Sequence, residues 1–204
     1  MADIFLIRHG QVYAPGDVLY GRKSGLHLTE TGRNEAAEAA GFLKTAGIDI
    51  ILSSPMERTR ETAAFIADIF GLEIIIQQEF NEVEIGEWTG RTYNELEEDP
   101  RWRRFNTFRS GTTAPGGESI MDVQCRMISG IRMWRESLPD GRICVVSHAD
   151  PIKTVLLYFL GMPLELISRI EICTGSITLL SLYEDTAILR RLNYTGENRI
   201  VQPR

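Results

Sequence analysis

The apolar run Ile4-Phe5-Leu6-Ile7 stops abruptly at Arg8-His9-Gly10, the pattern of a strand buried on both faces. Residues 11–28 hold Pro15, Gly16, Gly21 and Gly25 with little periodicity and read as a loop. Thr29-Glu30-Thr31-Gly32 opens a predicted helix over Ala36, Ala37, Ala40, Phe42 and Leu43, ended by Gly47. A second apolar strand, Ile48 to Leu52, closes on Ser53-Ser54-Pro55. The next helix spaces Thr59, Thr62, Ala63, Ile66, Ala67 and Phe70 three and four apart and ends at Gly71. Glu73 to Gln77 reads as a third strand.

The pattern changes between about Phe80 and Gly117, where Trp88, Trp102, Phe105 and Phe108 are interleaved with acids and arginines. No long period survives there, so the stretch is expected to leave the sheet edge as a small insertion, about 80–117, over the active site. A helix follows over Glu118 to Leu138, with Met121, Val123, Met127, Ile131 and Trp134 as inward positions. Ile143 to Val146 is another strand ending at Ser147-His148, and Pro151 to Leu160 is a helix. Further strands are expected at about 168–173 and 176–183, either side of Thr174-Gly175, and at about 187–193. This alternation predicts an α/β fold, a three-layer sandwich around a mainly parallel sheet, in one domain spanning 1–204. Ligands of such folds bind at the carboxyl ends of strands, where Arg8-His9-Gly10, Ser53-Ser54-Pro55 and Ser147-His148 all fall.

The chain has 204 residues, 43% of them hydrophobic, which excludes disorder and suits one core without disulfide or metal staples. Its 22 Lys and Arg against 28 Asp and Glu give a formal charge of −6, which argues against nucleic acid as a partner. A small anionic substrate is still admissible, because a few arginines in a cleft dominate the local field. Cys125, Cys144 and Cys173 share no C-x-x-C spacing and each sits in an apolar run, so all three read as reduced, buried filler. The first eight residues lack the pattern of a signal peptide, and no apolar run approaches a membrane span. No membrane association and a cytoplasmic location are therefore expected.

Only three histidines are present, and His9 and His148 each directly follow an apolar strand. Two histidines at strand ends of one α/β sheet point to function more strongly than either alone. His27, in Gly25-Leu26-His27-Leu28, reads as a surface residue. Arg8 and Arg58 present planar forks that match phosphate or carboxylate, and the helix beginning near Pro55 adds free N–H groups and positive dipole. Alone, Arg58 would read as part of a solvated face with Glu57, Arg60 and Glu61.

These blocks resemble the histidine phosphatase superfamily, the phosphoglycerate-mutase-like proteins, and among them most the small broad-specificity phosphatases. The resemblance rests on Ile7-Arg8-His9-Gly10, Leu28-Thr29-Glu30-Thr31-Gly32, Ser53 to Ala63, Glu82 to Gly90, Pro115 to Ser119 and Val145 to His148, in the family's order. It implies that His9 is the nucleophile that becomes a phosphohistidine, that Arg8, Arg58 and His148 bind the phosphoryl group, and that Glu82 protonates the leaving oxygen. His148 thus counts with the catalytic group as well as the phosphate-binding one. Glu84 is the rival acid, two residues on and on the same face if the stretch is extended. Gln11, Gly21, Glu84 and Ala149 are further candidates for contact with substrate or support of the site.

Three positions depart from the family pattern. Gln11 stands where a glutamate is common, Pro15 replaces an asparagine, and Ala149-Asp150 follows His148 where many members have glycines. Asp150 is expected to cap the next helix, or else to orient His148. The implied activity is a metal-independent, cofactor-free acid phosphatase acting on small phosphomonoesters. The alternatives are a phosphoglycerate or other sugar-phosphate mutase, and a catalytically silent phosphate-binding or protein-interaction module. Trp88, Trp102, Phe105 and Arg101, Arg103, Arg104 and Arg109 either surround an anionic or ringed substrate or are core and solvated face. No Cys/His spacing fits a metal. Oligomeric state stays open, with a homodimer as the candidate assembly.

Overall fold

The computed structural model describes residues 1–13 and 17–196, so Pro15 lies outside the described residues. In chain order the elements are β1 (Ala2–Arg8), α1 (Glu30–Leu43), β2 (Ile50–Ser53), α2 (Glu57–Phe70) and β3 (Ile74–Ile76). After them come α3 (Tyr93–Glu97), α4 (Pro100–Thr107), α5 (Ile120–Ser137), β4 (Arg142–Ser147), α6 (Ala149–Phe159), β5 (Ile177–Leu182) and β6 (Ala187–Tyr194). One six-stranded sheet runs β3-β2-β4-β1-β5-β6, with β3, β2, β4 and β1 parallel and β5 and β6 antiparallel.

The strands divide their side chains with period two. Phe5 and Ile7 of β1, with Cys144 and Val146 of β4, face α1 and α2 and join Ala40, Leu43, Ala63 and Ile66. Ile4 and Leu6, with Ile143 and Val145, face α5 and α6 and join Val123, Met127, Ile131 and Val155. Helices thus cover both faces, as a mainly parallel sheet requires. The insertion holds no long helix, only the short α3 and α4. Thr92 and Asp99 cap them, and buried Trp88, Leu96 and Phe105 extend the α5/α6 core.

Four expectations are corrected. No strand covers 168–173: Leu164–Arg169 is a 3-10 turn, and the segment after it spends its backbone groups on side chains. The Ile172 carbonyl accepts from Arg8 Nη1 (2.6 Å), and Cys173 N–H donates to Asn193 Oδ1 (2.6 Å), so no ladder forms. Cys125 is exposed and Cys173 half-buried; only Cys144 is buried filler. Cys125 and Met121 lie off the α5 stripe, which runs through Ile120, Val123, Met127 and Ile131 at helical spacing. Asp150 is not the cap of α6, because that helix already begins at Ala149 with His148 at its N-cap. Its carboxylate instead pairs with Lys153 at 3.1 Å.

The start of α1 lies against the turn after β1. A Cβ on Gly10 would stand 2.2 Å from the Gly32 carbonyl oxygen, and one on Gly32 would stand 2.0 Å from that of Gln11. Two glycines therefore let the helix touch backbone to backbone, and Thr29 caps it by accepting from Gly32 N–H (3.0 Å). Alanine normally exceeds glycine in a helix by about 1 kcal/mol. Gly32→Ala should reverse that sign and destabilise by about 1–3 kcal/mol, as overpacking does. Gly41→Ala on the same helix, with open space around it, should stabilise by about 0.5–1 kcal/mol. Urea unfolding of both variants checks the pair.

Candidate active site

Because β4 lies between β2 and β1, the carboxyl ends of three neighbouring parallel strands carry Ser53-Ser54, Ser147-His148 and Arg8-His9 side by side. His9 N–H donates to the Ser147 carbonyl (3.0 Å) and Ser54 N–H to that of Val146 (3.0 Å), so the ladder continues into the site. The rings of His9 and His148 meet edge to face, centroids 5.2 Å apart. Both are buried.

His9 Nδ1 lies 2.8 Å from the Gly10 carbonyl oxygen, which accepts its N–H. That commits one ring nitrogen and leaves the lone pair on Nε2. Burial, and then the guanidiniums of Arg8 and Arg58, hold the imidazole well below the usual histidine range. His148 is pushed the same way by burial, then by Arg58, His9 and Arg8. Both rings are therefore neutral across the ordinary pH range.

The two arginines are held by backbone carbonyls and make no ion pair among the described residues. Arg8 Nη1 donates to Ile172 O, and Arg58 Nη2 donates to Gly21 O (3.0 Å). Gly21 has φ +52°, and a Cβ there would strike the Ile85 side chain at 2.6 Å, so the carbonyl can turn to Arg58 only with glycine at that position. Around the two histidines three buried donors, Arg8 Nε, Arg58 Nη1 and His148 Nδ1, have no hydrogen-bond partner among the described residues. Unpaired buried donors are costly, and three in one place form a cradle for an anion.

Glu82 and Glu84 have different neighbours. Glu82 Oε2 stands 3.5 Å from His148 Nδ1, and its Oε1 accepts from Val83 N–H (2.8 Å). Burial raises its pKa, and Asp150 adds to that against the pull of Arg58 and Arg8. Glu84 pairs instead with Arg22 Nη1 (3.5 Å). Gln11 is exposed and serves the α1 cap, with its Oε1 accepting from Thr29 Oγ1 (3.0 Å). Gly21, Glu82, Ala149 and Asp150 line one cavity of about 330 Å³. His27 is exposed and bonds to Glu61.

Several supporting residues had no role assigned from the sequence. Ser54 Oγ lies 2.8 Å from His148 Nε2 and 3.3 Å from Asn81 Oδ1, and Asn81 Oδ1 accepts from Glu82 N–H (2.8 Å). Arg126 donates to the carbonyls of Glu79 and Asn81 (2.7 Å each) and Glu82 (3.0 Å), and pairs with Glu118 (2.8 Å). Arg22 Nε also donates to the Glu82 carbonyl (2.7 Å) and its Nη2 reaches Glu118 (2.8 Å). The partners of Arg126 at 79–82 are distant in the chain, beyond any local pattern. Serine and glutamate fell inside recognised blocks, but nothing in those blocks fixes what they touch.

A family model described as histidine phosphatase superfamily (branch 1) matches residues 4–195. The chain belongs to the histidine phosphatase superfamily. It is 31% identical over 196 residues to the bifunctional protein Rv2228c of Mycobacterium tuberculosis, covering 95% of this chain and 54% of that protein. The chain thus spans about half the length of the first curated relatives it matches. It is also 31% identical to a protein named probable phosphoglycerate mutase GpmB of Escherichia coli O1:K1, over 87% of this chain and 84% of that one. The structure of Entamoeba histolytica phosphoserine phosphatase in complex with 3-phosphoglyceric acid superimposes with TM-score 0.84 at 27% identity, covering 96% and 98% of the two chains. Relatives of this superfamily transfer phosphoryl groups as phosphatases or mutases. No helix among the described residues is long and apolar enough to cross a membrane.

Arg126→Met would take this donor from the Glu79 and Asn81 carbonyls and leave the Glu82 carbonyl and Glu118 with Arg22 as their one remaining arginine. It should lower stability by about 3 kcal/mol, the cost of breaking a partly buried charged network. Urea unfolding measures this, and a loss below about 1 kcal/mol would contradict the role given to Arg126.

Proposed function

We propose that this protein is a phosphomonoesterase acting through a phosphohistidine on His9. The observation that carries this reading is the trio of unpaired donors, Arg8 Nε, Arg58 Nη1 and His148 Nδ1, grouped around an imidazole whose Nδ1 is already committed. The phosphoryl oxygens of a substrate match those donors, and His9 Nε2 attacks phosphorus in line. Fixed donors in a buried site stabilise the charge spread over the three equatorial oxygens. Ser54 supports the role of His148: when its hydroxyl proton goes to Nε2, the neutral ring presents an N–H at Nδ1.

Glu82 is the general acid. Burial keeps its carboxyl protonated further into the working range, and it gives that proton to the ester oxygen as the P–O bond breaks. The resulting carboxylate then takes a proton from water, whose oxygen attacks the phosphohistidine and releases inorganic phosphate. His9 returns to the neutral imidazole and Glu82 to the acid. Glu84 is the weaker candidate because Arg22 engages it. The name of the E. coli relative favours a mutase as the second reading, in which a hydroxyl of the bound product replaces water.

Phosphorus NMR of the protein with 3-phosphoglycerate and a panel of phosphomonoesters separates the readings. Inorganic phosphate from several esters, lost in His9→Ala and insensitive to EDTA, is expected. Conversion of 3- to 2-phosphoglycerate with little free phosphate would make it a mutase, and no change in any signal would leave a binding module. The pH profile has a definite sign. His9 must be neutral, and its pKa is depressed, so activity falls only well below pH 6.5. Glu82 must carry a proton, and its pKa is raised, so activity falls as pH climbs through that raised value. An optimum on the acid side follows. Glu82→Gln should remove the alkaline limb and cost about 10²–10⁴-fold in kcat on alkyl esters. With 4-nitrophenyl phosphate, whose leaving group needs no proton, the initial burst of nitrophenol should be slowed much less, while breakdown of the phosphohistidine stays slow.

A further inference from the structure

The cavity beside Glu82 contains one cation without an ion pair. Arg109, just beyond α4, packs its guanidinium over the Phe105 ring at 4.9 Å, and its Nη2 donates to Asn106 Oδ1 (2.5 Å). Its Nε is buried and has no partner, and no carboxylate lies within ion-pair distance among the described residues. The other arginines of the insertion are occupied or face elsewhere. Arg101 is bound by Asp99 and Glu87, and Arg103 and Arg104 line a separate surface with Glu97 and Glu98.

Arg109 and Glu82 line the same cavity, whose other walls include Trp102, Phe105, Ile85 and Ile120, with Asn106 and Asp150 as further polar residues. Asp150, which also lines the cavity and acts on Arg109 through space, is paired with Lys153 at 3.1 Å. A half-buried cation with a buried, unpartnered Nε is stabilised by an anion that brings its own charge and accepts from the planar fork.

We infer that Arg109 is a specificity-determining residue, and that the alcohol part of the preferred phosphomonoester carries a carboxylate on an apolar or ring-bearing body. The phosphoryl group then lies at His9 and the carboxylate at Arg109, with the aromatic walls around the body between them. This rests on the reading of Arg8, His9, Arg58 and His148 as the phosphoryl site.

Binding, measured without turnover, keeps the two readings apart. Calorimetry on His9→Ala protein would compare 4-carboxyphenyl phosphate with 4-carbamoylphenyl phosphate, and 3-carboxypropyl phosphate with its amide. Within each pair the shape is the same and only the second charge differs. In at least one pair the carboxylate should bind tenfold or more tighter than the amide. Adding Arg109→Gln should bring that ratio to about one, Arg109→Lys should retain part of it, and Arg103→Gln should leave it unchanged. Equal affinities in both pairs would overturn the inference. So would a preference that survives Arg109→Gln, or one that Arg103→Gln removes equally. Phosphate release by the protein with His9 intact tests the phosphatase reading separately: esters that bind with the expected preference yet are never hydrolysed would sink that reading alone.

Discussion

Arg8 sits opposite Ser147 in the parallel ladder of β1 and β4, and Ser53 sits opposite Val146 in the ladder of β4 and β2. One residue further along each strand come His9, His148 and Ser54, so a register set deep in the apolar core decides which polar groups meet at the sheet edge. Slipping a strand by one residue would turn its core side chains to the other face, so the α1/α2 and α5/α6 layers both resist it. Precision at the site is thus derived from packing at a distance, through Ile4, Leu6, Ile143 and Val145 on one face and Phe5, Ile7, Cys144 and Val146 on the other.

The charge arrangement follows from the same placement. Carbonyls of Ile172 and Gly21 hold Arg8 and Arg58, so their positive charge stays unneutralised by any carboxylate ion pair and available to an anion. Carboxylates surround the site at one remove: Glu118 ties Arg22 and Arg126 together, and those two arginines fix the backbone of Glu82. Burial then acts oppositely on the two kinds of group, lowering the pKa of the imidazoles and raising that of the Glu82 carboxyl, so each is pushed toward its neutral form. One environment suits both a nucleophile and an acid.

Much of this was legible from residue pattern. Apolar runs that end at Arg8-His9 and Ser147-His148 show where the strands stop, and Thr29 before Glu30 shows where α1 starts. What pattern did not reach depends on contacts between distant segments. Ile170 to Cys173 is apolar enough to read as a strand, yet it gives its backbone groups to Arg8 and Asn193. Cys125 and Met121 lie in an apolar stretch of α5 whose buried stripe passes them by. Arg126 looks like any helical arginine until the 79–82 turn folds over it. Among the five arginines of the insertion, only the folded chain singles out Arg109 as the one lining the cavity.

The central claim is that the phosphoryl group passes through His9, and trapping it there is the most direct test. Glu82→Gln protein, mixed with 32P-labelled 4-nitrophenyl phosphate and quenched in base within milliseconds, should carry up to one label per chain. That label should be stable to base, labile to acid, located on His9 and absent from His9→Ala. Release of phosphate with no protein-bound label, or a label on any other residue, would contradict the account.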